Sequence, residues 1–307
     1  MQFKHFLLPI VFCLLTCSSY GSTRLGIWAW KQTHFTTAQS RSQMLDFCKQ
    51  ENISHIDQHI SIKNGEIENA QALKKLVIEA TKQNITINAL RGSKEMFFAT
   101  NHQRTMGDLK LMVKFNHSLP RNSKLLGIKF DVEPYLTPEW KAGGNQKEKV
   151  MLDYLNFLTQ ANTHLKQHAK GLELSVDVPF WWDKKEHALT FKGQTKPLVH
   201  HIQDNVSWIG IMSYRRDPDT TTKLIQDEIN YAKKENLPRS VAAGMETTKL
   251  SGKEAHISFG GVPPKQFRKA LKKLSANLAN NPHIRCIMIH HYGGLKSYLN
   301  STGKGQP

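Results

Sequence analysis

The chain has 307 residues, of which 42 are Lys or Arg and 25 are Asp or Glu, so its formal net charge is +17 at pH 7. Its length is enough for one large domain or two small ones. The basic balance favours anionic partners, but the sequence has no recognition helix, RNA-binding motif or basic stripe with interleaved aromatic residues, so nucleic-acid binding is not expected.

The N-terminal residues have the pattern of a secretory signal peptide. Lys4 precedes an apolar run over residues 6–15, and small and polar residues then lead to Gly21, after which cleavage is predicted. The apolar run is too short to span a membrane. A lipid anchor on Cys17 is the less favoured alternative, because the preceding residue is larger than lipoprotein signals normally carry.

Two cysteines, Cys48 and Cys286, remain after the predicted cleavage site. In an exported protein they could form one disulfide, but two buried free thiols fit the same sequence, and their spacing alone does not decide between these states. The sequence has no CxxC or Cys/His pattern typical of a zinc site.

Short apolar segments typical of strands alternate with longer amphipathic segments typical of helices. The predicted strands cover residues 25–30, 53–60, 85–90, 125–132, 172–178, 206–213, 240–245 and 284–290. Helical periodicity is clearest over residues 39–49, 70–82, 147–168, 221–234 and 264–278. Alternation of this kind predicts an α/β fold with a parallel sheet and crossover helices.

Eight strand–helix units fit a single (β/α)8 barrel of the TIM type. An open doubly wound sheet is the main alternative, but no glycine-rich phosphate-binding loop follows the first predicted strand. The predicted organisation is therefore a signal peptide over residues 1–21 and one barrel domain over residues 22–307.

The fourth predicted strand ends in two acids, Asp131 and Glu133. Because side chains alternate along a strand, Gly127, Lys129, Asp131 and Glu133 are predicted to share one face. Repulsion and partial burial can raise the pKa of one of two neighbouring carboxyl groups, which makes it a proton donor near neutral pH. Lys129 on the same face is expected to favour an ionised Asp131 over one that shares a proton. Capping of the next helix, or pairing with a base, would explain an isolated D-x-E equally well.

In a barrel of parallel strands, the active site lies where the strands end. The predicted strand ends combine acids, bases and aromatic residues. They carry Trp28, Trp30, Asp57, His59, Arg91, Asp131, Glu133, Tyr135, Asp177, Trp181, Trp182, Met212, Tyr214, Arg215, Glu246, His290, His291 and Tyr292. Sugars have apolar C–H faces that pack on aromatic rings and hydroxyl groups that form hydrogen bonds, so this combination favours a carbohydrate ligand.

Three histidines at strand ends, His59, His290 and His291, are the candidates for a metal site. Metal-dependent amidohydrolase barrels carry H-x-H at the end of the first strand, where this chain has Trp28-Ala29-Trp30. Neither a metal nor another cofactor is therefore expected.

The run Phe130-Asp131-Val132-Glu133, followed two strands later by Met212-Ser213-Tyr214, resembles the chitinase-like family 18 glycoside hydrolases. In that family the fourth strand carries D-x-x-D-x-D-x-E, whose Glu is the general acid. The resemblance implies a (β/α)8 barrel that hydrolyses glycosidic bonds. It assigns Glu133 as the acid, Asp131 as the carboxylate that orients the acetamido group of the substrate, and Tyr214 as a partner of that group.

The sequence departs from the family pattern at several positions. The first Asp of the motif is Leu126 here, and its middle Asp is Lys129. Arg215 follows the tyrosine where the family usually has Asp, and the last strand offers His291 and Tyr292 where the family usually has a Trp beneath the sugar. These changes leave open acetamido-assisted cleavage, another sugar chemistry, or binding without turnover.

Glu246 suggests a second mechanism. Acids that end strands four and seven also resemble the large clan of retaining glycosidases, with the acid/base on strand four and the nucleophile on strand seven. Glu246 would be the nucleophile in that arrangement. Alternatively, Glu246 pairs with Arg91 or Arg215 and only shapes the site.

The sequence thus predicts an exported glycoside hydrolase-like barrel, periplasmic or secreted, with a carbohydrate as its partner. The expected catalytic residues are Glu133, Asp131, Tyr214 and Glu246. The expected substrate-binding residues are Trp28, Trp30, Arg91, Tyr135, Asp177, Trp181, Trp182, Met212, Arg215, His291 and Tyr292. A non-catalytic carbohydrate-binding barrel is the main alternative, favoured by Lys129 and Arg215, and an enzyme or binder of an anionic polymer is supported by the net charge alone.

Overall fold

The computed structural model describes residues 23–300. The signal peptide predicted over residues 1–21, its cleavage after Gly21 and the alternative lipid anchor on Cys17 lie outside the described residues.

Eight parallel strands form a closed barrel. They are β1 (Leu25–Ala29), β2 (Ile53–His59), β3 (Thr86–Arg91), β4 (Gly127–Asp131), β5 (Glu173–Pro179), β6 (Trp208–Met212), β7 (Val241–Glu246) and β8 (Ile284–His290). Each strand pairs with the next one along the chain, and β8 pairs with β1 to close the barrel. The predicted (β/α)8 barrel is confirmed, and the open doubly wound sheet is excluded.

Ten α-helices are described between residues 23 and 300. They are α1 (Ala38–Gln50), α2 (Ala70–Lys82), α3 (His102–Ser118), α4 (Pro138–Ala142), α5 (Gly144–His168), α6 (Leu198–Gln203), α7 (Pro218–Leu224), α8 (Gln226–Lys234), α9 (Pro264–Leu278) and α10 (Tyr292–Asn300). Two hairpins lie outside the barrel, one pairing Ile62–Lys63 with Glu66–Ile67 and the other pairing Ala188–Phe191 with Gln194–Pro197. Among these described residues, no helix is both long and apolar enough to cross a membrane.

The strands bury both of their faces, as a barrel covered by helices requires. Outward side chains such as Ile128 and Phe130 of β4 are fully buried in the layer between barrel and helices. Inward side chains fill the barrel, where Trp28, Trp208 and Met288 form a smaller apolar cluster. Ile128 and Phe130 therefore lie on the face opposite Lys129, as the alternation of side chains along a strand requires.

Several element boundaries differ from those predicted. The helix predicted over residues 221–234 is two helices, α7 and α8, because the backbone of Ile225 (φ −111°, ψ 7°) leaves the helical conformation. Strand β4 ends at Asp131, so Glu133 lies beyond it, at the start of a short 3₁₀ turn over Pro134–Leu136.

Cys48 of α1 and Cys286 of β8 are both buried and free. Of the two states that the sequence left open, the structure therefore has two buried thiols. Burial raises the pKa of each thiol to about 12, so both are held in the protonated form at neutral pH.

Candidate active site

A cavity of about 330 Å³ opens at the carboxyl ends of the barrel strands. Its lining residues are Trp28, Trp30, Asp131, Glu133, Asp177, Met212, Tyr214 and His290. They come from β1, β4, β5, β6 and β8 or from the residues that follow these strands. The volume is at the small end of the range for ligand sites, which is about 300–1,000 Å³.

Most of the residues that line this cavity are among the site residues predicted at the strand ends. All of the lining residues except His290 were predicted as catalytic or substrate-binding residues. His290 was considered only as a metal ligand. Its place at the end of β8, next to the predicted His291, is the signal that could have identified it.

The other predicted site residues do not line the cavity. They are Arg91, Tyr135, Trp181, Trp182, Arg215, Glu246, His291 and Tyr292. The contacts of these side chains determine whether they can still bind a ligand or position a residue that lines the cavity.

Arg91 turns away from the cavity and pairs with Asp108 of α3, with Nη2 and Oδ2 2.7 Å apart. Arg215 donates a hydrogen bond from Nη1 to the carbonyl oxygen of Tyr214, and its guanidinium lies 4.9 Å from the ring centre of Phe180. The expectation that one of these arginines pairs with Glu246 is therefore not met.

The aromatic residues after β5 and β8 are largely packed against other rings. Trp182 is fully buried and stacks on Trp140 at 5.6 Å between ring centres, so it offers no surface to a ligand. Tyr292 packs against Phe47 of α1. Trp181 is half-buried and meets the ring of Tyr135 at 5.3 Å.

Asp131 and Glu133 form the predicted pair of carboxyl groups at the end of β4. The register between β4 and β5 places Asp131 directly opposite Asp177. Burial, followed by the charges of Asp177 and Glu133, raises the pKa of Asp131 well above that of an exposed aspartate. The hydroxyl group of Tyr135 donates a hydrogen bond to Oε1 of Glu133 and so orients that carboxyl group.

The charge of Lys129 favours the ionised form of Asp131, as its sequence position suggests, but burial and the neighbouring carboxylates outweigh it. Its Nζ lies 2.8 Å from Oδ1 of Asp177 and 3.2 Å from Oδ2 of Asp57, deep inside the barrel. The ammonium group also lies 3.7 Å from the ring centre of Trp208. The positive charge of Lys129 is therefore directed at Asp177 and Asp57, and its effect on Asp131 is too small to offset burial and the neighbouring carboxylates.

Asp57 and Asp177 are fixed by further hydrogen bonds. Oδ1 of Asp57 accepts a hydrogen bond from Asn88 at 2.9 Å and lies 2.9 Å from Nε2 of His55. The indole N–H of Trp28 donates to Oδ2 of Asp177 at 2.9 Å, which links the floor of the cavity to one of its aromatic walls.

Glu246, His290 and Trp30 form a chain of hydrogen bonds beside the cavity. The Trp30 indole can only donate, so Nε2 of His290 accepts its hydrogen bond at 3.0 Å. Nδ1 of His290 then carries the proton and donates to Oε2 of Glu246 at 2.7 Å, while Oε1 of Glu246 accepts from the backbone N–H of Thr248 at 2.6 Å. These bonds lower the pKa of Glu246, although burial opposes them.

Residues 23–300 contain no group of three or more His, Cys, Asp or Glu side chains that could hold a metal ion. His59 packs near Trp30, with ring centres 6.4 Å apart, and Asp57 is engaged with Lys129.

No protein-family model and no curated protein matches this sequence. Solved structures do match its fold. A class V chitinase from Pseudomonas fluorescens Pf-5 superposes with a TM-score of 0.54 at 12% identity, covering 92% of this chain and 100% of that one. A family GH18 chitinase from Cycas revoluta superposes with a TM-score of 0.52 at 11% identity, covering 91% of this chain and 98% of that one.

The spore cortex-lytic enzyme SleL of Bacillus cereus superposes with a TM-score of 0.53 at 14% identity, covering 89% of this chain and 71% of that one. At these identities the similarity establishes the fold alone. The chain has the barrel fold of family 18 chitinases and related enzymes, in agreement with the resemblance seen in its sequence.

Proposed function

We propose that this protein is an exported glycoside hydrolase in which Glu133 is the general acid and Asp131 assists it. The observation that carries the proposal is the Asp131–Glu133 pair, which opens into an aromatic-walled cavity at the carboxyl ends of the barrel strands. The shared fold with chitinases and a cortex-lytic enzyme supports it. The signal-like residues 1–21 support export.

Glu133 suits the role of proton donor to the leaving glycosidic oxygen. It lines the cavity, and the hydrogen bond from Tyr135 holds its carboxyl group in one orientation. Asp131 lies two residues before it and favours the protonated form, so it can donate a hydrogen bond to a polar group of the bound sugar. Tyr214 borders the same cavity and offers a hydroxyl group to the sugar.

Glu246 fits a positioning role better than that of a nucleophile. It does not line the cavity, and each of its oxygens accepts a hydrogen bond, one from His290 and one from Thr248. In the proposed mechanism Glu246 orients His290, which in turn holds the Trp30 wall.

The experiment that tests this function is release of reducing ends from neutral, N-acetylated and acidic oligosaccharides. Loss of a general acid typically costs about 10²–10⁴-fold in rate, so we expect Glu133→Gln to lose at least about 100-fold. Glu246→Gln should lose less than about tenfold, because the glutamine oxygen can still accept the hydrogen bond from His290, although its NH2 group cannot accept the one from Thr248. Glu139→Gln, an exposed change on α4, should leave the rate unchanged.

Equal losses in Glu133→Gln and Glu246→Gln would instead favour the two-carboxylate mechanism of the retaining clan. A non-catalytic carbohydrate-binding barrel is the second candidate function. It is favoured by Lys129, which stands in place of the middle Asp of the family motif and is fully engaged with Asp57 and Asp177. Glycan binding without release of reducing ends by the unsubstituted protein would establish that function.

A further inference from the structure

The cavity is acidic, although the protein as a whole carries a net charge of +17. Three carboxyl groups, those of Asp131, Glu133 and Asp177, belong to its lining. Within residues 23–300, no Lys or Arg side chain lines it. The charge that a ligand meets in this cavity is therefore opposite in sign to the charge of the molecular surface.

Lys129 offsets the charge of Asp177, with which it forms an ion pair, but neither of the two basic side chains near the floor of the cavity pairs with Asp131 or Glu133. Lys129 is completely buried and contacts Asp57, Asp177 and the ring of Trp208, so it cannot reach a ligand. Both ring nitrogens of His290 are engaged, one with the indole N–H of Trp30 and the other with Glu246, so neither is free to bond a ligand.

Asp131 lacks a partner for one of its oxygens. Oδ1 of this residue is buried and has no hydrogen-bond partner among the described residues. Because Asp131 is buried and lies close to Asp177 and Glu133, its pKa is raised and it favours the protonated form when no ligand is present. When a positively charged donor binds at Oδ1, Asp131 releases its proton to solvent and accepts a hydrogen bond from the ligand instead of donating one, and such charge-assisted hydrogen bonds are the strong ones.

The aromatic walls suit the same kind of ligand. The indole N–H of Trp30 is already bonded to His290, so this half-buried residue offers a ligand its ring, whereas Trp28 is bonded to Asp177 and is almost completely buried. Aromatic rings attract both the C–H faces of a sugar and an ammonium group.

We propose that the sugar bound next to Asp131 is a 2-amino sugar with a free ammonium group, so that the preferred ligand is a glucosamine-containing glycan. The inference rests on the proposed function, since it names the sugar that the proposed glycosidase takes. The cavity pairs the ammonium group with Asp131 and disfavours acidic sugars.

The test compares tetrasaccharides of glucosamine, N-acetylglucosamine and glucose with the same linkage, using calorimetry for binding and reducing-end release for cleavage. It is run on the unsubstituted protein at about pH 6, below the pKa of about 8 of an α-amino group, which serves here as the reference for the sugar amine. We expect the glucosamine tetramer to bind at least about tenfold more tightly than either of the others, as one charge-assisted hydrogen bond allows. Asp131→Asn should remove this preference.

The protein carries a net positive charge, so non-specific electrostatics would repel the cationic glucosamine tetramer. Tighter binding of this tetramer than of the two uncharged ones must therefore come from the cavity. The ligand series on the unsubstituted protein is decisive even if Asp131→Asn fails to fold. Preference for the N-acetylated or neutral tetramer, with cleavage lost in Glu133→Gln, would overturn the amino-sugar inference and leave the proposed hydrolase intact.

The amino-sugar inference can also hold while the proposed catalysis fails. Tight glucosamine binding without cleavage of any tetramer would support the inference about the ligand and overturn the proposed catalysis. Absence of both binding and cleavage for all three tetramers would overturn both.

Discussion

Burial beside Asp177 and Glu133 gives Asp131 a higher pKa in the folded chain than in the unfolded one. A carboxyl group with a raised pKa adds its full contribution to the free energy of unfolding below the unfolded pKa of about 3.9, where it is protonated in both states. This contribution is lost as the pH rises through the pKa of the folded state. Asp131→Asn removes the ionisation. We therefore expect this variant to gain Tm relative to the unsubstituted protein as the pH is raised from about 5 to about 9.

Thermal unfolding followed by circular dichroism over this pH range measures the effect. Asp46→Asn, an exposed change on α1, is the matched control and should show a nearly constant difference. A constant difference for Asp131→Asn as well would mean that Asp131 ionises with ordinary ease in the folded protein.

At the scale of single residues, the sequence identifies which side chains lie at the strand ends but not which residues they contact there. Alternation along β1 and β4 places Trp28, Trp30 and Asp131 correctly. Arg91 also ends a strand, yet it turns toward Asp108 of α3. Helix α3 was not among the segments with clear periodicity, so nothing in the sequence pattern could predict that pairing.

Gly210 of strand β6 and Gly107 of helix α3 differ in the space that is available for a side chain. A Cβ atom on Gly210 of β6 would lie 2.2 Å from Oδ1 of Asp177 and 2.9 Å from Nζ of Lys129. Gly107 of α3 has no atom within 4 Å of the corresponding position. The buried ion pair therefore requires a glycine in β6, while α3 has room for a side chain.

We expect Gly210→Ala to lower the free energy of unfolding by about 3 kcal/mol or more, since disruption of a buried ion pair costs about 3–5 kcal/mol. Gly107→Ala should raise it by roughly 0.5–1 kcal/mol, the helix propensity difference between the two residues. Urea unfolding of both variants measures these changes. A Gly210→Ala protein as stable as its parent would show that the ion pair can move aside at no cost.

At the scale of elements, the predictions succeed where the buried face is apolar. Helices α2 and α9 begin and end at the predicted residues because their buried positions carry Leu, Ala, Val or Phe. The buried face of α3 includes Thr105, Asp108 and Asn116, which weakens the hydrophobic periodicity on which such predictions depend.

For the molecule as a whole, the two free thiols make the fold independent of reducing conditions. Cys48 and Cys286 are buried, and the pKa of each is raised to about 12. We expect iodoacetamide to leave both unlabelled in the native protein and to label both after denaturation, as read by mass spectrometry of their peptides. Labelling of Cys286 in the native state would show that the barrel opens, and failure of both to label after denaturation without reductant would reveal a disulfide.

The pairing of β1 with β8 has a consequence for how each copy of the chain is made. It joins Leu25 to Ile287, so the first strand of the barrel meets its second neighbour only after β8 has been synthesised. Until then β1 keeps one edge unpaired, and such an edge can recruit a strand from another molecule. Contacts between residues so far apart in sequence also slow folding. A chain of this design is therefore open to self-association until the last strand of the barrel has emerged.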